Sequence, residues 1–463
     1  MARKAPVVVA VGIALLATAC SAEKRAPNGH ASASAHEDEG PAIVFEPIGP
    51  PAPPRLDRPL HVLVAGDLLP HRPSLVSPLA IRNALAPLAP TFAKADIVIA
   101  NYEAATGDVD AKAFRLAYAA PQGWLEELPR AGIKALTVAN NHACDLGLEG
   151  LDATLAAAAK SDTIALGGDS KDPWSAKPVV EQGGKRVCAV AWTTVMNAET
   201  GCARTVRLAI ARTDRKGTAM IDTAIARAKS WCDATVAIIH GGDEYVAQRR
   251  EVMEQARHAA DAGADAIVIH HPHIASPVEL YTTKDGRQVP LFASVGNLVS
   301  NQGESWKATM FPVLRENRRL VCVNGWTRLG VIADLSFDFR PDAVKLDWGF
   351  RLTWTENEHA NDHTVAVPKI ETRLLDAEKD AEIVAKLNED ERGPVDLFED
   401  PCWLDKPVAT AEDVARDPRC SLSIVHKPTP ILAFDTKTAR GHKAGHVGTE
   451  GPDPRRQARP RRP

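Results

Sequence analysis

The sequence has no strong excess of charge of either sign. Its 463 residues carry 55 Lys and Arg against 59 Asp and Glu, a formal net charge of −4 at pH 7. So small a charge offers no broad cationic surface for nucleic acid, and we expect no nucleic-acid partner. Basic residues gather in the short proline-containing stretch 455–462, which is more typical of a solvated tail than of a binding arm.

The chain also lacks internal repeats and closely paired cysteines. The absence of a repeat excludes solenoid architectures. The eight cysteines do not have the paired spacing of a zinc ribbon, so we interpret them as structural, with a pairing that the sequence does not reveal. With 45% hydrophobic and 25% charged residues, the composition is that of a globular protein of one large or two ordinary domains.

The apolar run near the N-terminus, residues 7–17, is too short to cross a bilayer as a helix. Arg3 and Lys4 precede it and small residues follow it up to Cys20, a pattern typical of a signal peptide. The same residues fit a bacterial lipobox, in which Cys20 would carry a lipid anchor. We favour a lipoprotein over a soluble periplasmic or extracellular form and over an uncleaved anchor. All three predict export to the bacterial cell envelope.

Changes in composition divide the chain into five segments. They are a signal peptide or lipobox (1–20), a linker rich in Pro and Ala (21–58), a domain of alternating strands and helices (59–325), a β-rich C-terminal extension (326–434) and a disordered basic tail (435–463). Helices are predicted over 78–93, 123–131, 148–160, 218–230, 249–262 and 371–388. Strands are predicted over 60–65, 97–100, 135–139, 164–166, 187–191, 235–239, 266–269, 289–293, 329–337, 343–348 and 350–355.

Five of the predicted strands end at side chains that bind metal ions. The five clusters are Gly66-Asp67, Asn101-Tyr102-Glu103, Asn140-Asn141-His142 with Asp145, His240-Gly241-Gly242-Asp243-Glu244, and His270-His271-Pro272-His273. Strands that alternate with helices favour a mostly parallel sheet, and ligands bind beyond the carboxyl ends of such strands. We therefore expect the five clusters to meet at one edge and to form a metal site.

The clusters differ in strength. The histidine cluster is the strongest, because Pro272 is expected to keep His271 extended so that His271 and His273 project with defined geometry. The alternative interpretation of this cluster is a histidine-rich tract that binds metal adventitiously. Taken alone, Asp67 and Asp145 could cap helices, and Glu244 could form a salt bridge.

The full set offers two or three imidazoles, two carboxylates and an amide, without a thiolate. This mixture suits Mn, Fe or Zn rather than Mg alone, and it is large enough for one or two divalent ions. Such ions activate water and stabilise an oxyanion, and an imidazole that is not a ligand can protonate a leaving group.

As a set, these motifs resemble the CapA family of capsule biosynthesis, of the poly-γ-glutamate type, within the calcineurin-like metallophosphatase superfamily. The resemblance covers about residues 60–301. It is carried by the five clusters together with Gly147, Tyr245 and Ser294-Val295-Gly296-Asn297.

The resemblance implies an α/β fold, a four-layer sandwich of two central β-sheets flanked by helices. It implies that Asp67 and His273 bind one metal, that Asn141, His240 and His271 bind a second, and that Glu103 bridges them. His142 would be the catalytic imidazole. We expect three further residues to hold the ligand side chains in place without binding metal themselves, namely Asn101, Asp145 and Glu244.

Two departures from the superfamily pattern stand out. Leu69 occupies the position of a ligand histidine, and the bridging carboxylate is Glu103 instead of Asp. The first metal is then weakly held, or the site is mononuclear. We expect an exported, metal-dependent hydrolase of capsule biosynthesis, acting on phosphoester or γ-glutamyl amide bonds of an anionic extracellular polymer or its precursor. The alternative is a non-catalytic subunit of a membrane-bound capsule synthase.

Overall fold

The computed structural model describes residues 58–70, 75, 77–107, 118–197, 205–245, 248–309, 324–340, 343–357, 370–376, 378–390 and 408–410. The predicted signal peptide, almost all of the predicted linker and the predicted basic tail lie outside the described residues. Among the residues described, no helix combines the length and the apolar character needed to cross a membrane.

The strands follow the apolar, β-branched runs of the sequence. They are β1 (Leu60–Leu68), β2 (Ile97–Tyr102), β3 (Ala105–Thr106), β4 (Ala119–Ala120), β5 (Ala135–Thr137), β6 (Ile164–Leu166), β7 (Lys177–Gln182), β8 (Lys185–Thr193), β9 (Ala234–His240), β10 (Ala266–His270), β11 (Ala275–Thr282), β12 (Gln288–Val295), β13 (Asn297–Val299), β14 (Leu329–Phe339), β15 (Val344–Glu356), β16 (Glu371–Leu374) and β17 (Val408–Thr410).

The helices follow stretches with helical spacing of apolar residues. They are α1 (Pro78–Leu85), α2 (Ala89–Phe92), α3 (Gln122–Glu127), α4 (Gly147–Lys160), α5 (Arg215–Lys229), α6 (Arg250–Ala262) and α7 (Ala381–Glu389), with 3₁₀ turns at Ala86–Leu88 and Gly325–Arg328. Local signals set their ends. The Asp214 side chain accepts hydrogen bonds from the backbone of Lys216 and Gly217 and so caps α5, and Gly263 follows α6 at φ +123°.

Two large sheets form the centre of the fold. The first has the strand order β16-β15-β14-β1-β2-β5-β6, with β13 beside β1 and β17 beside β15. In it β1, β2, β5 and β6 run parallel, while β14 and β15 form an antiparallel hairpin whose first strand pairs with β1. The second sheet has the order β11-β12-β10-β9-β8-β7 and is parallel from β12 to β8.

Three apolar interfaces hold these sheets and the helices together. The inward faces of the two sheets pack on each other through residues such as Val62 of β1 and Val236 of β9. The other face of the first sheet packs on α1, α3 and α4, and the other face of the second packs on α5 and α6. The predicted four-layer α/β sandwich, with helices outside two central sheets, is confirmed.

Several boundaries differ from those the sequence predicts. The two strands predicted over 343–348 and 350–355 are one strand, β15. The helix predicted over 371–388 is wrong in its first half, because Glu371–Leu374 pairs with β15 as β16 and the helix begins at Ala381. The strands of the predicted C-terminal extension lie in the same sheet as β1. The division of the chain at residue 325 remains a prediction.

A disulfide joins Cys188 in β8 to Cys232, which follows α5. The bond spans 44 positions and closes a loop that runs from the second sheet through α5. A structural role for these two cysteines agrees with the sequence interpretation.

Candidate metal centre

The five clusters meet where the carboxyl ends of strands from both sheets face each other. Asp67 lies in β1, Asn101 in β2 and His240 in β9, while Asn141 follows β5 and His271 follows β10. A contact between the two sheets supports this meeting point, since Nε2 of His270 lies 2.9 Å from the backbone oxygen of Ala65. The strand pattern predicts that the clusters meet at one sheet edge. They do meet, but between the edges of two sheets.

Gly66 lets the chain bring Asp67 into the centre. A Cβ atom at Gly66 would lie 2.3 Å from the backbone oxygen of Gly296, so only glycine fits against this neighbouring segment. The backbone nitrogen of Asp67 donates to the same oxygen at 3.0 Å. The close approach of β1 to the start of β13 therefore fixes the position of the Asp67 carboxylate.

Asp67 and His273 form a buried pair. Nδ1 of His273 lies 3.0 Å from Oδ2 of Asp67 and also 3.0 Å from Oδ1 of Asn297. Burial opposes ionisation of both groups. The charge of Glu103 and the hydrogen bond to Asp67 nevertheless raise the pKa of His273 to about 10, and the hydrogen bond from His273 lowers the pKa of Asp67.

Asn101 lies behind the ligands and touches several of them. Its Nδ2 donates to Oδ1 of Asp67 at 2.9 Å and to Oε2 of Glu103 at 3.4 Å, and lies 3.3 Å from Nδ1 of His240. Its Oδ1 accepts hydrogen bonds from Thr137 and Asn140. One amide thus fixes groups that come from both sheets.

Glu103 occupies the middle of the centre. Its Oε1 lies 3.6 Å from Nε2 of His240 and 3.7 Å from Nε2 of His273. The side chain is fully buried. Burial, and then the neighbouring charge of Asp67, raise the pKa of Glu103 well above its usual value. A cation placed here would compensate the cost of ionising this carboxyl group.

Asn141, His240 and His271 lie close together beside Glu103. Oδ1 of Asn141 is 2.8 Å from Nε2 of His240, and the rings of His240 and His271 have centroids 4.8 Å apart. Burial lowers the pKa of His240 well below its usual value, and burial lowers that of His271 to about 4. Both imidazoles are therefore neutral near pH 7, the form that binds metal.

His142 is held beside the centre by three neighbours. Its Nδ1 lies 2.6 Å from Oδ2 of Asp145, an oxygen that also accepts a hydrogen bond from the backbone of Tyr118. The ring of His142 stacks on that of Tyr118 with centroids 4.0 Å apart, and Nδ2 of Asn197 lies 3.4 Å from Nδ1 of His142. This arrangement fixes the ring and reserves Nδ1 for Asp145.

The backbone around the last histidines is unusual. His271 has φ +100° and His273 has φ +58°, a region that non-glycine residues rarely adopt. The prediction that Pro272 keeps His271 in ordinary extended backbone is therefore wrong. Strain of this kind persists only where surrounding contacts impose it, and it concentrates at functional sites. Here the hydrogen bond from the His271 backbone to Asp67, at 3.4 Å, is one such contact.

The residues fit divalent metal ions. Ligand atoms within 4.8 Å of one another occur in three groups, which are Asp67 with Glu103 and His273, Glu103 with His240 and His271, and Glu244 with His271 and His273. Two buried atoms of these groups, Oε1 of Glu103 and Nδ1 of His271, make no hydrogen bond within the described part of the chain. Such atoms are free to act as ligands.

The structure gives other histidines and amides different places. His270, which stands in the strongest sequence cluster, belongs to none of the three groups and binds the Ala65 backbone instead. Asn197 was missed by the sequence analysis, although its Oδ1 accepts from Asn141 and its Nδ2 faces His142. No strand-end signal marks it. Asn297 lies in a motif that the resemblance includes, but its contact with His273 has no local signature.

Comparison with known proteins identifies the family. The model of the family described as "Bacterial capsule synthesis protein PGA_cap" matches residues 61–302, more than half of the 463 residues, and includes every residue of the metal centre. The chain belongs to this family. The resemblance to the CapA family that the motifs predict is thus confirmed.

Two curated proteins are similar to the chain. It is 32% identical over 182 residues to the PGA biosynthesis protein CapA of Bacillus subtilis (strain 168). This match covers 38% of this chain and 44% of that protein. It is 28% identical over 282 residues to the capsule biosynthesis protein CapA of Bacillus anthracis, which covers 56% of this chain and 64% of that protein. The matches thus span about half to two thirds of these relatives.

Among solved structures, the chain is similar to the calcineurin-like phosphoesterase YfkN from Bacillus subtilis. The sequence identity is 13% and the TM-score 0.38, over 68% of this chain and 91% of that chain.

Proposed function

We propose that this protein is an exported metal-dependent hydrolase of capsule or exopolymer biosynthesis that cleaves a phosphoester or γ-glutamyl amide bond. The observation that carries the proposal is the position of Glu103. This buried carboxylate lies between His240 and His273, 3.6 Å and 3.7 Å from their Nε2 atoms, with one oxygen that makes no hydrogen bond among the described residues. A carboxylate between two imidazoles is suited to join two metal sites.

The chain supplies two sets of candidate ligands around Glu103. Asp67 and His273 would hold one ion with Glu103, and Asn141, His240 and His271 would hold a second. The nitrogen and oxygen donors suit Mn, Fe or Zn. When bound, such ions activate water as a nucleophile and stabilise charge that develops on substrate oxygens.

His142 would supply the proton that the leaving group needs. Because Asp145 fixes Nδ1, the proton is delivered from Nε2, and the ring keeps its orientation against Tyr118. The bond that breaks is the one between the phosphorus or carbonyl carbon and the leaving oxygen or nitrogen.

The family and its named members support a place in capsule synthesis. The two relatives are named for PGA biosynthesis and for capsule biosynthesis. We propose that the substrate is an anionic extracellular polymer or its precursor, and that the protein acts at the cell envelope beside membrane-bound synthase subunits. The predicted signal peptide and Cys20 support the proposal of export and of a lipid anchor.

The test combines a metal count with turnover. Purified full-length protein, loaded with Mn²⁺ or Zn²⁺, is assayed on a chromogenic phosphodiester and on a γ-glutamyl amide. We expect turnover that a chelator removes and added metal restores, and expect His271→Ala and Asp67→Ala to abolish it while circular dichroism stays native. His258→Ala is the matched control, because His258 pairs with Asp222 on the surface of the second sheet's helices. Equal activity of chelated and metal-loaded protein would refute the proposal.

A second candidate function is a non-catalytic assembly subunit that binds polymer through the same centre. The observation that favours it is Leu69, a fully buried apolar residue at the position where the superfamily carries a ligand histidine. Stoichiometric metal without turnover on either substrate class, together with retention of anionic polymer by the loaded protein, would support this candidate over the hydrolase.

A further inference from the structure

We propose that Glu244 is itself a metal ligand, which supplies a carboxylate oxygen to the centre beside His271 and His273. The inference rests on the metal-dependent function proposed above. The sequence predicts only that Glu244 holds other ligands in place, so direct binding of metal is a different role.

Glu244 lies close to two imidazoles of the metal centre. An oxygen of Glu244 and a ring nitrogen each of His271 and His273 all lie within 4.8 Å of one another. Glu103 relates in the same way to His240 and His271. Two carboxylates therefore lie close to His271, one directly after β2 and one in the loop after β9.

The surroundings of the Glu244 carboxylate are those of a metal ligand. A ring nitrogen of His271 and one of His273 lie within 4.8 Å of its oxygen. Among the described residues, no lysine or arginine pairs with this carboxylate. A partly buried carboxylate whose neighbours are ligand imidazoles, rather than a side-chain cation, matches the environment of a metal ligand.

The backbone around Glu244 fixes where its carboxylate lies. Gly242 has φ +116° and Tyr245 has φ +62°, so the loop turns sharply on both sides of Glu244. The backbone nitrogen of Tyr245 donates to the oxygen of Pro272 at 2.8 Å. This bond attaches the Glu244 loop to the turn that carries His271 and His273, and so fixes the carboxylate relative to both rings.

The neighbouring residue Asp243 provides an internal comparison. Its carboxylate is exposed and pairs with Arg249, on the other side of the same loop. The loop therefore presents one acidic side chain to solvent and the next to the imidazoles. Asp243→Asn is the matched control for Glu244→Gln, because it removes the same charge from the same loop.

The experiment measures metal binding rather than turnover. Full-length wild type, Glu244→Gln and Asp243→Asn are titrated with Mn²⁺ by calorimetry, and the Co²⁺-loaded forms are compared by visible absorption, which reports the ligand set. We expect Glu244→Gln to weaken at least one Mn²⁺ site more than about 100-fold, beyond the about 10- to 100-fold cost of losing a group behind a ligand. Its Co²⁺ spectrum should change, and Asp243→Asn should match wild type.

Each outcome separates this inference from the proposed function. A wild type that binds neither Mn²⁺ nor Co²⁺ refutes the metal centre and the inference with it. A wild type that binds both, with a Glu244→Gln variant of unchanged Co²⁺ spectrum, refutes the inference alone, whatever the change in affinity. Should Glu244→Gln fail to fold, Glu244→His keeps the test open, because a histidine ligand should retain metal with an altered spectrum and a mere supporting role should not.

Discussion

Nδ1 of His273 lies 3.0 Å from Oδ2 of Asp67, although 206 positions separate the two residues. The pair joins the end of β1 in the first sheet to the turn after β10 in the second. The metal centre is thereby part of the contact between the sheets.

Asn101 should control metal affinity without being a ligand. Asn101→Ala removes the amide that donates to Asp67 and Glu103, so both carboxylates lose orientation. We expect Mn²⁺ affinity to fall about 10- to 100-fold by calorimetry. Thr137→Val removes only the hydroxyl that donates to Asn101 and should cost less. Equal affinity of Asn101→Ala and wild type would show that the amide does not position the ligands.

His142 should affect turnover but not metal content. His142→Ala removes the group proposed to protonate the leaving group, and we expect kcat to fall about 10²- to 10⁴-fold while the metal count stays at the wild-type value. Asp145→Asn should reduce kcat less, because the ring remains. With a substrate whose leaving group needs no proton, the difference in kcat between His142→Ala and wild type should be smaller. Loss of metal in His142→Ala would contradict the assignment.

The ion pair of His61 and Asp334, which lies outside the metal centre, should make the free energy of unfolding depend on pH. The hydrogen bond with Asp334, 2.5 Å long, raises the pKa of His61 above its usual 6.5. Burial opposes ionisation of Asp334, but the same bond lowers its pKa below 3.8. The His61 contribution is complete below pH 6.5 and is lost as the pH rises through the folded pKa, and the Asp334 contribution is lost as the pH falls through its own.

The pair therefore stabilises the fold most between pH 3.8 and 6.5. His61→Gln should lower the free energy of unfolding by on the order of 1 kcal/mol in this window, and by less at alkaline pH, in urea denaturation followed by circular dichroism. The backbone of His61 also meets Asp96, and Arg351 also binds Asp334, so these contacts must be intact in the variant. A loss independent of pH would exclude the ion pair as its cause.

The disulfide should contribute several kcal/mol. Its 44-position separation predicts a stabilisation of about 4 kcal/mol from the constraint on the unfolded chain. The double variant Cys188→Ala, Cys232→Ala should lower the free energy of unfolding by about 2–5 kcal/mol in urea. The double variant is preferable to a reductant, because Cys144 is also disulfide-bonded. A single variant, Cys232→Ala, would leave a buried thiol at Cys188 and serves to separate the loss of the bond from the loss of packing.

The sequence predicts the strands that position the centre because their signals are local. The apolar runs that lead to Asp67, Glu103, His240 and His271 are continuous in the chain, and each ligand lies within one or two residues of the end of its strand. The assignment of these strands to two sheets depends on pairing between distant residues, such as Asp67 with Asn101 and His240 with His270. Neither periodicity nor composition encodes that choice.

The wrong helix over 371–388 has a tertiary cause. Glu371–Leu374 has charged, helix-compatible residues, but its backbone pairs with β15, and the hydroxyl of Thr372 donates to the backbone of Leu298. Contacts of this kind override a weak local preference. The same reason explains why the roles of Asn197 and Asn297 escape a reading of the sequence, since each depends on a neighbour more than 20 positions away.

The hairpin of β14 and β15 has a practical consequence for anyone who dissects this protein. The family match ends at residue 302, yet residues 60–64 of β1 bond to β14, which begins at Leu329. A fragment trimmed to the matched segment would lack β14 and so leave one edge of β1 without a partner strand. An exposed strand edge promotes intermolecular pairing and precipitation. Soluble, metal-competent material should therefore require the chain to continue at least through Glu356.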